Sequence, residues 1–207
     1  MKTGHEYLLE WFPNYDYHNL AKGVDSARLD YRRLDNLVGY QQRCFAVYWA
    51  LKGAEKGGIG IDIGCGEVIH PFCFGVDKYC GDSHPDYPSS HKANYRPHMV
   101  LRGDKPLPFE SDTFAFLISH HSLEHMVDAS WTLREWVRIV KPNGILAIVM
   151  PDRTFGEPDD ADHKRVFTAE EFETEVLDSL VSEGLVEIVE LDTLRNKFSF
   201  NVVLRKK

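Results

Sequence analysis

The stretch Ile59-Gly60-Ile61-Asp62-Ile63-Gly64-Cys65-Gly66 limits what this chain can fold into more than any other. Three β-branched isoleucines alternate with small or acidic residues and run straight into glycines. That pattern describes a buried parallel strand ending in a tight loop. Gly64 and Gly66 lack side chains, so the backbone can take positive φ there and bring its amides close to a ligand. Two glycines alone say little. The acid within the strand, Asp62, and a second acid after the next apolar run, Asp77, strengthen the reading.

Composition narrows the function classes. At 207 residues the chain fits one domain with a sizeable core. A formal charge of −8 argues against a nucleic-acid partner, since binding to a phosphate backbone requires clustered Lys and Arg. No apolar run approaches the roughly 18 residues of a membrane span. Met1–Glu6 lacks the apolar core of a secretory signal, so a cytoplasmic protein without a membrane partner is expected. Cys44, Cys65, Cys73 and Cys80 form no C-x-x-C pair and read as reduced thiols rather than disulfides or zinc ligands.

Strand and helix signals alternate along the chain. Apolar residues between Ser26 and Lys56 recur at helical spacing, and Gly57-Gly58 ends that helix. Before it, the aromatic stretch Trp11–Tyr17 fits either a flap on the core or a lid over a small-molecule site. Residues 1–56 are therefore expected to form an N-terminal helical cap and residues 57–207 a single compact unit. Cys73–Asp77 is the next strand, and Gly81–Pro97 is an irregular insertion with three prolines. A short strand near His98–Leu101 and a loop over Gly103–Phe109 follow. Phe114–Ile118 predicts another buried strand. A helix is expected from Asp128 as N-cap, with Leu133, Val137 and Val140 on one face. Lys141-Pro142-Asn143-Gly144 is turn chemistry, and Ile145–Met150 is a strand stopped by Pro151. Thr168 with Glu171 predicts a capping box. Val186–Leu191 and Phe198–Leu204 are strands joined without a helix, which suggests an antiparallel edge. The whole predicts an α/β three-layer sandwich built on a mainly parallel sheet.

Four blocks in order then resemble the class I S-adenosylmethionine-dependent methyltransferases. They are Ile61–Gly66; Leu107-Pro108-Phe109 with Asp112-Thr113-Phe114; Leu123-Glu124-His125; and Val140–Gly144. The resemblance implies seven strands with a reversed last strand and S-adenosylmethionine as cofactor. It also implies a role for each matching position. Asp62 with Gly64, Cys65 and Gly66 would face the methionine moiety, and Asp77 with Lys78 beside it would meet the ribose. Gly103 and Asp104 would lie near the adenine, and Ser119 and His120 would line the other side. The chain departs from the family pattern at three places. Val68 stands where a further glycine is common. Asp104 lies one residue nearer Leu107 than usual. Gly64 and Asp77 are 13 residues apart, against roughly 20 in dinucleotide folds, so the first helix is nearly deleted. A compact subgroup, some of whose members modify sugars or polysaccharides, shares the shortened helix and a block like His163-Lys164-Arg165-Val166-Phe167-Thr168.

Methyl transfer from a sulfonium requires alignment and, for a hydroxyl or amine acceptor, a base. His121 and His163 are the candidates, each with the alternative of merely bonding its own loop. Arg153 and Arg165 would either bind an acidic substrate or lie solvated. His121-Ser122-Leu123-Glu124-His125 also spells H-x-x-E-H, a zinc-hydrolase motif. The motif leaves a buried strand and overlaps a family block, so Glu124 and His125 are read as braces and no metal is expected. Trp131 and Trp136 are read as packing residues. The expected function is methylation of a small-molecule acceptor such as a sugar or natural-product hydroxyl, by a monomer or homodimer. The alternatives are a non-catalytic protein on the same fold and, more weakly, a nicotinamide oxidoreductase. The last lacks the third glycine of G-x-G-x-x-G, because Ile69 stands there.

Overall fold

The computed structural model describes residues 38–55, 57–66, 69–81, 96–155, 162–193 and 199–207. The expectations for Trp11–Tyr17, for Glu67-Val68 and for most of the Gly81–Pro97 insertion lie outside those residues. The described chain forms α1 (Val38–Ala54), β1 (Gly60–Ile63), β2 (Cys73–Asp77), β3 (Met99–Val100) and β4 (Phe114–His120). These are followed by α2 (Ala129–Ile139), β5 (Val140–Pro151), α3 (Ala169–Phe172), α4 (Asp178–Ser182), β6 (Val186–Thr193) and β7 (Ser199–Lys206).

All seven strands belong to one sheet in the order β3-β2-β1-β4-β5-β7-β6. β3, β2, β1, β4 and β5 pair in parallel, and β7 runs antiparallel to both β5 and β6. The antiparallel pairing lies at the C-terminal side, as expected. The reversed strand is nevertheless internal, and β6 is the edge. No helix connects β1 to β2 among the described residues.

Alternation along the strands separates the side chains into two cores. On one face Ile61, Ile63, Val76, Leu146, Ile148, Phe200 and Val202 pack beneath α2, α3 and α4, with Trp136 fully buried among them. On the other face Phe116, Ile118, Ala147, Val149 and Val203 meet Phe45, Ala46 and Ala50 of α1. Phe116 fills a slot between a helix glycine and a strand glycine. A Cβ on Gly53 would lie 2.4 Å from its ring, and one on Gly60 would lie 2.2 Å from it. This explains why the last turn of α1 carries a glycine at position 53 and not the better helix former Ala.

Three boundaries differ from the sequence reading. The helix capped by Asp128 ends at Ile139, so Val140 opens β5 rather than closing the helical face. The Lys141–Gly144 turn is a protrusion inside β5. Pairing runs Phe114 to Val140 and then Phe116 to Ile145, and Asn143 takes φ 63° to make the bend. Asn tolerates that region better than most residues. The strand expected near His98–Leu101 shrinks to Met99–Val100. The two predicted caps are present. Asp128 accepts from the Trp131 amide, and Thr168 and Glu171 form a reciprocal capping box. Trp136 is a core residue, whereas Trp131 is 40% exposed.

Candidate functional site

Open parallel sheets bind ligands beyond the carboxyl ends of their strands, where the strand order reverses. Here the reversal lies between β1 and β4, so the loops after β1, β2 and β4 define the site. Gly64 and Gly66 adopt φ 76° and 58°. The loop amides are bonded to β2. Gly64 and Cys65 both donate to the Val76 carbonyl, at 2.9 and 3.2 Å, and Gly66 donates to Asp77 Oδ2 at 2.9 Å. A second constraint at Gly64 comes from the β4 loop, since a Cβ there would meet Ser122 Oγ at 2.3 Å. Burial, reinforced by the charges of Asp62 and Asp77, raises the Cys65 thiol far above its usual range. It therefore stays a neutral thiol, and Cys65 has only its backbone to offer a ligand.

Asp62 is fully buried on β1. Its Oδ2 accepts from the His70 amide at 2.8 Å and contacts His70 Nδ1 at 2.9 Å, while Oδ1 has no partner among the described residues. Asp77 ends β2 with Oδ1 on the Tyr79 amide at 3.0 Å. Lys78 pairs with Asp162 at 2.5 Å and lies 4.8 Å from the Tyr79 ring centre. Burial works to lower the Lys78 pKa, and the bond to Asp162 more than offsets it. Asp104 is gripped by Arg102 through two bonds of 2.9 and 2.8 Å, which hold its carboxyl below the usual range. Gly103 is placed by Trp136, whose Nε1 donates to its carbonyl at 3.1 Å. The adjoining Leu107–Phe109 block is clamped from α2. Glu135 accepts the Leu107 amide at 2.7 Å, and Arg138 donates to the Phe109 carbonyl at 2.8 Å.

At the end of β4, Ser119 is buried and donates to the Ile63 carbonyl at 3.1 Å, tying β4 to β1 across the reversal point. The His120 ring stands edge-on between His70 and His121, with centroids 6.2 and 4.9 Å away. His121 adopts φ 52°, a region sparsely populated by non-glycine residues. Its Nδ1 lies 3.2 Å from Glu124 Oε1 and its Nε2 lies 3.3 Å from Ser199 Oγ. The His163 ring is edge-on to His125 at 4.7 Å. The amides of Lys164 and Arg165 bond the Glu124 carbonyl at 2.8 and 3.2 Å. The two candidate histidines, 42 residues apart in sequence, thus both border Glu124. H-x-x-E-H does not form the helical hydrolase arrangement, because Leu123–His125 is a single 3-10 turn and His121 precedes it in a left-handed bend. Arg153 pairs with Glu171, and Arg165 with Glu175.

These residues fit S-adenosylmethionine. The orphaned Asp62 oxygen is an acceptor held behind the glycine loop. A carboxylate offers about four acceptor positions, and the backbone amides bonded to Asp77 leave room for two ribose hydroxyls. Residues 61–148 match the family model described as a methyltransferase domain. The chain has the α/β fold of those methyltransferases. Among solved structures it resembles an S-adenosylmethionine-dependent methyltransferase from Aquifex aeolicus, with a TM-score of 0.52, 17% identity, and 89% of this chain and 100% of that one covered. It also resembles the PH0226 protein of Pyrococcus horikoshii OT3, with a TM-score of 0.54, 19% identity, and 89% and 100% covered. A third similar structure comes from the complex between the Haloferax volcanii Trm112 methyltransferase activator and a putative methyltransferase, with a TM-score of 0.53, 15% identity, and 82% and 92% covered. At these identities the likeness is one of fold. No curated protein matches the sequence.

Sequence reasoning did not single out His70, Tyr79 or Ser199 at this site. His70 carries no signal beyond its place after the loop. Ser199 comes from β7, which only the sheet order brings to β4.

Proposed function

We propose that the protein transfers a methyl group from S-adenosylmethionine to a small-molecule hydroxyl, with a sugar or natural product as the acceptor class. The observation that carries this reading is His121, which stands past the reversal point with one ring nitrogen on Glu124 and the other on Ser199. When Nδ1–H is donated to the carboxylate, Nε2 is an acceptor, and a substrate hydroxyl taking the place of Ser199 Oγ there would give up its proton to it. Bound cofactor would supply an electrophilic methyl group on a sulfonium. Asp77 would hold the ribose, and Asp62 with the Gly64–Gly66 loop would hold the methionine end. Ser119 and His120 would border the reacting side. The formal charge of −8 fits a small or neutral acceptor better than a nucleic acid.

Calorimetry with S-adenosylmethionine and S-adenosylhomocysteine is the first test, and absence of binding by both overturns the reading. Transfer of a labelled methyl group to a panel of sugars and phenolic natural products then identifies the acceptor. A second reading, cofactor binding without catalysis, draws on Arg102 closing Asp104 and on His70 occupying Asp62 Oδ2. It requires binding of the cofactor with no transfer to any acceptor tested.

A further inference from the structure

Glu124 is 1% exposed, and its two carboxylate oxygens have different surroundings. Oε1 faces His121, whereas Oε2 is buried and has no hydrogen-bond partner among the described residues. An acceptor removed from water with no donor loses its hydration and gains nothing in return. Two imidazoles stand beside it. Glu124, His125 and His163 each offer one ligand atom, and the three atoms lie within 4.8 Å of one another.

We propose that Glu124, His125 and His163 form a site for a divalent first-row transition metal, with Zn²⁺ as the expected occupant. The donor set decides the class. Two imidazoles and a carboxylate suit Zn²⁺ and its neighbours, whereas Ca²⁺ and Mg²⁺ favour sets made of oxygens. Three protein ligands leave a fourth position open for water or for a substrate oxygen, the pattern of reactive rather than purely structural zinc sites. In a tetrahedral shell with bonds near 2.1 Å the ligand atoms stand about 3.4 Å apart, so no pair would need to close by more than about 1.4 Å.

The surroundings resemble those that orient metal ligands. His121 holds the second oxygen of Glu124, and Asp162 lies 3.8 Å from His125 Nδ1 while pairing with Lys78. The segment carrying His163 is already pinned to the 3-10 turn through the Lys164 and Arg165 amides on the Glu124 carbonyl. A metal would therefore lock residues 162–165 onto the end of β4. The site differs from the one spelled by H-x-x-E-H, because His121 acts on the carboxylate and His163 supplies the distant ligand.

The test uses the whole protein, stripped with a chelator and dialysed. Calorimetric titration with Zn²⁺ alone is expected to give one site per chain, and Co²⁺ is expected to give visible ligand-field absorption that Zn²⁺ displaces. Glu124→Gln keeps the shape and the contact with His121, and His163→Ala alters only a half-buried loop residue. Each is expected to weaken Zn²⁺ binding at least about tenfold, and circular dichroism checks that each variant is folded. No stoichiometric Zn²⁺ binding, or parental affinity in both folded variants, overturns the site. S-adenosylhomocysteine binding is measured on the same preparations. Zn²⁺ bound without the nucleoside would count against the methyltransferase reading alone, and the converse against the metal alone.

Discussion

At the scale of single residues the site turns on carboxylates and the groups that orient them. His121 is the sharpest case, since a left-handed backbone and two ring contacts fix one imidazole beyond β4. Replacing it with Gln should lower methyl transfer by about 10²- to 10⁴-fold. Affinity for S-adenosylhomocysteine should not change, and single-turnover kinetics with parallel calorimetry separates the two effects. His98 provides the pH dependence. Its Nδ1 accepts the Gly75 amide at 3.0 Å, and burial lowers its pKa below the ordinary 6.5, opposed in part by the charge of Asp62. Folding therefore favours the neutral ring. Its contribution is complete above 6.5 and declines as pH falls through 6.5, because the unfolded chain takes up the proton first. Urea midpoints of wild type and His98→Gln should accordingly converge between pH 7.5 and 5.5.

At the scale of elements, local chemistry sets the helix starts and sheet context sets the strand ends. The Thr168–Glu171 capping box satisfies amides in both directions, at 2.9 and 3.1 Å. Thr168→Ala should cost about 1 kcal/mol, read as a lower urea midpoint with an unchanged slope. Strand β5 shows the opposite dependence. Lys141-Pro142-Asn143-Gly144 has every mark of a chain-reversing turn, yet Val140 pairs with Phe114 and Ile145 with Phe116. Pairing on both sides of the turn absorbs it as a bulge, a tertiary effect that local residue types do not encode.

At the scale of the whole molecule, cofactor binding should couple to global stability. A ligand that binds only the folded state at 100 times its Kd adds about 2.7 kcal/mol. For a chain of this size that raises Tm by roughly 5–10 °C. Scanning calorimetry should show such a shift with S-adenosylhomocysteine and none with a nicotinamide dinucleotide, which would remove the oxidoreductase alternative. Among the described residues no helix is long and apolar enough to cross a membrane.

The sequence by itself determined the parts of the fold written in short-range chemistry. β-Branched runs ending in glycine marked β1, Phe114–Ile118 marked β4, and Asp128 and Thr168 marked two helix starts. Four ordered blocks indicated the cofactor class. Tertiary structure decided what depends on neighbours distant in sequence. It placed β7 inside the sheet, brought Ser199 to His121, closed Arg102 on Asp104 and set His163 beside Glu124. Residue type and spacing report φ preference and periodicity, both local properties. Which carboxylate oxygen is left without a donor is known only after every other element has packed around it.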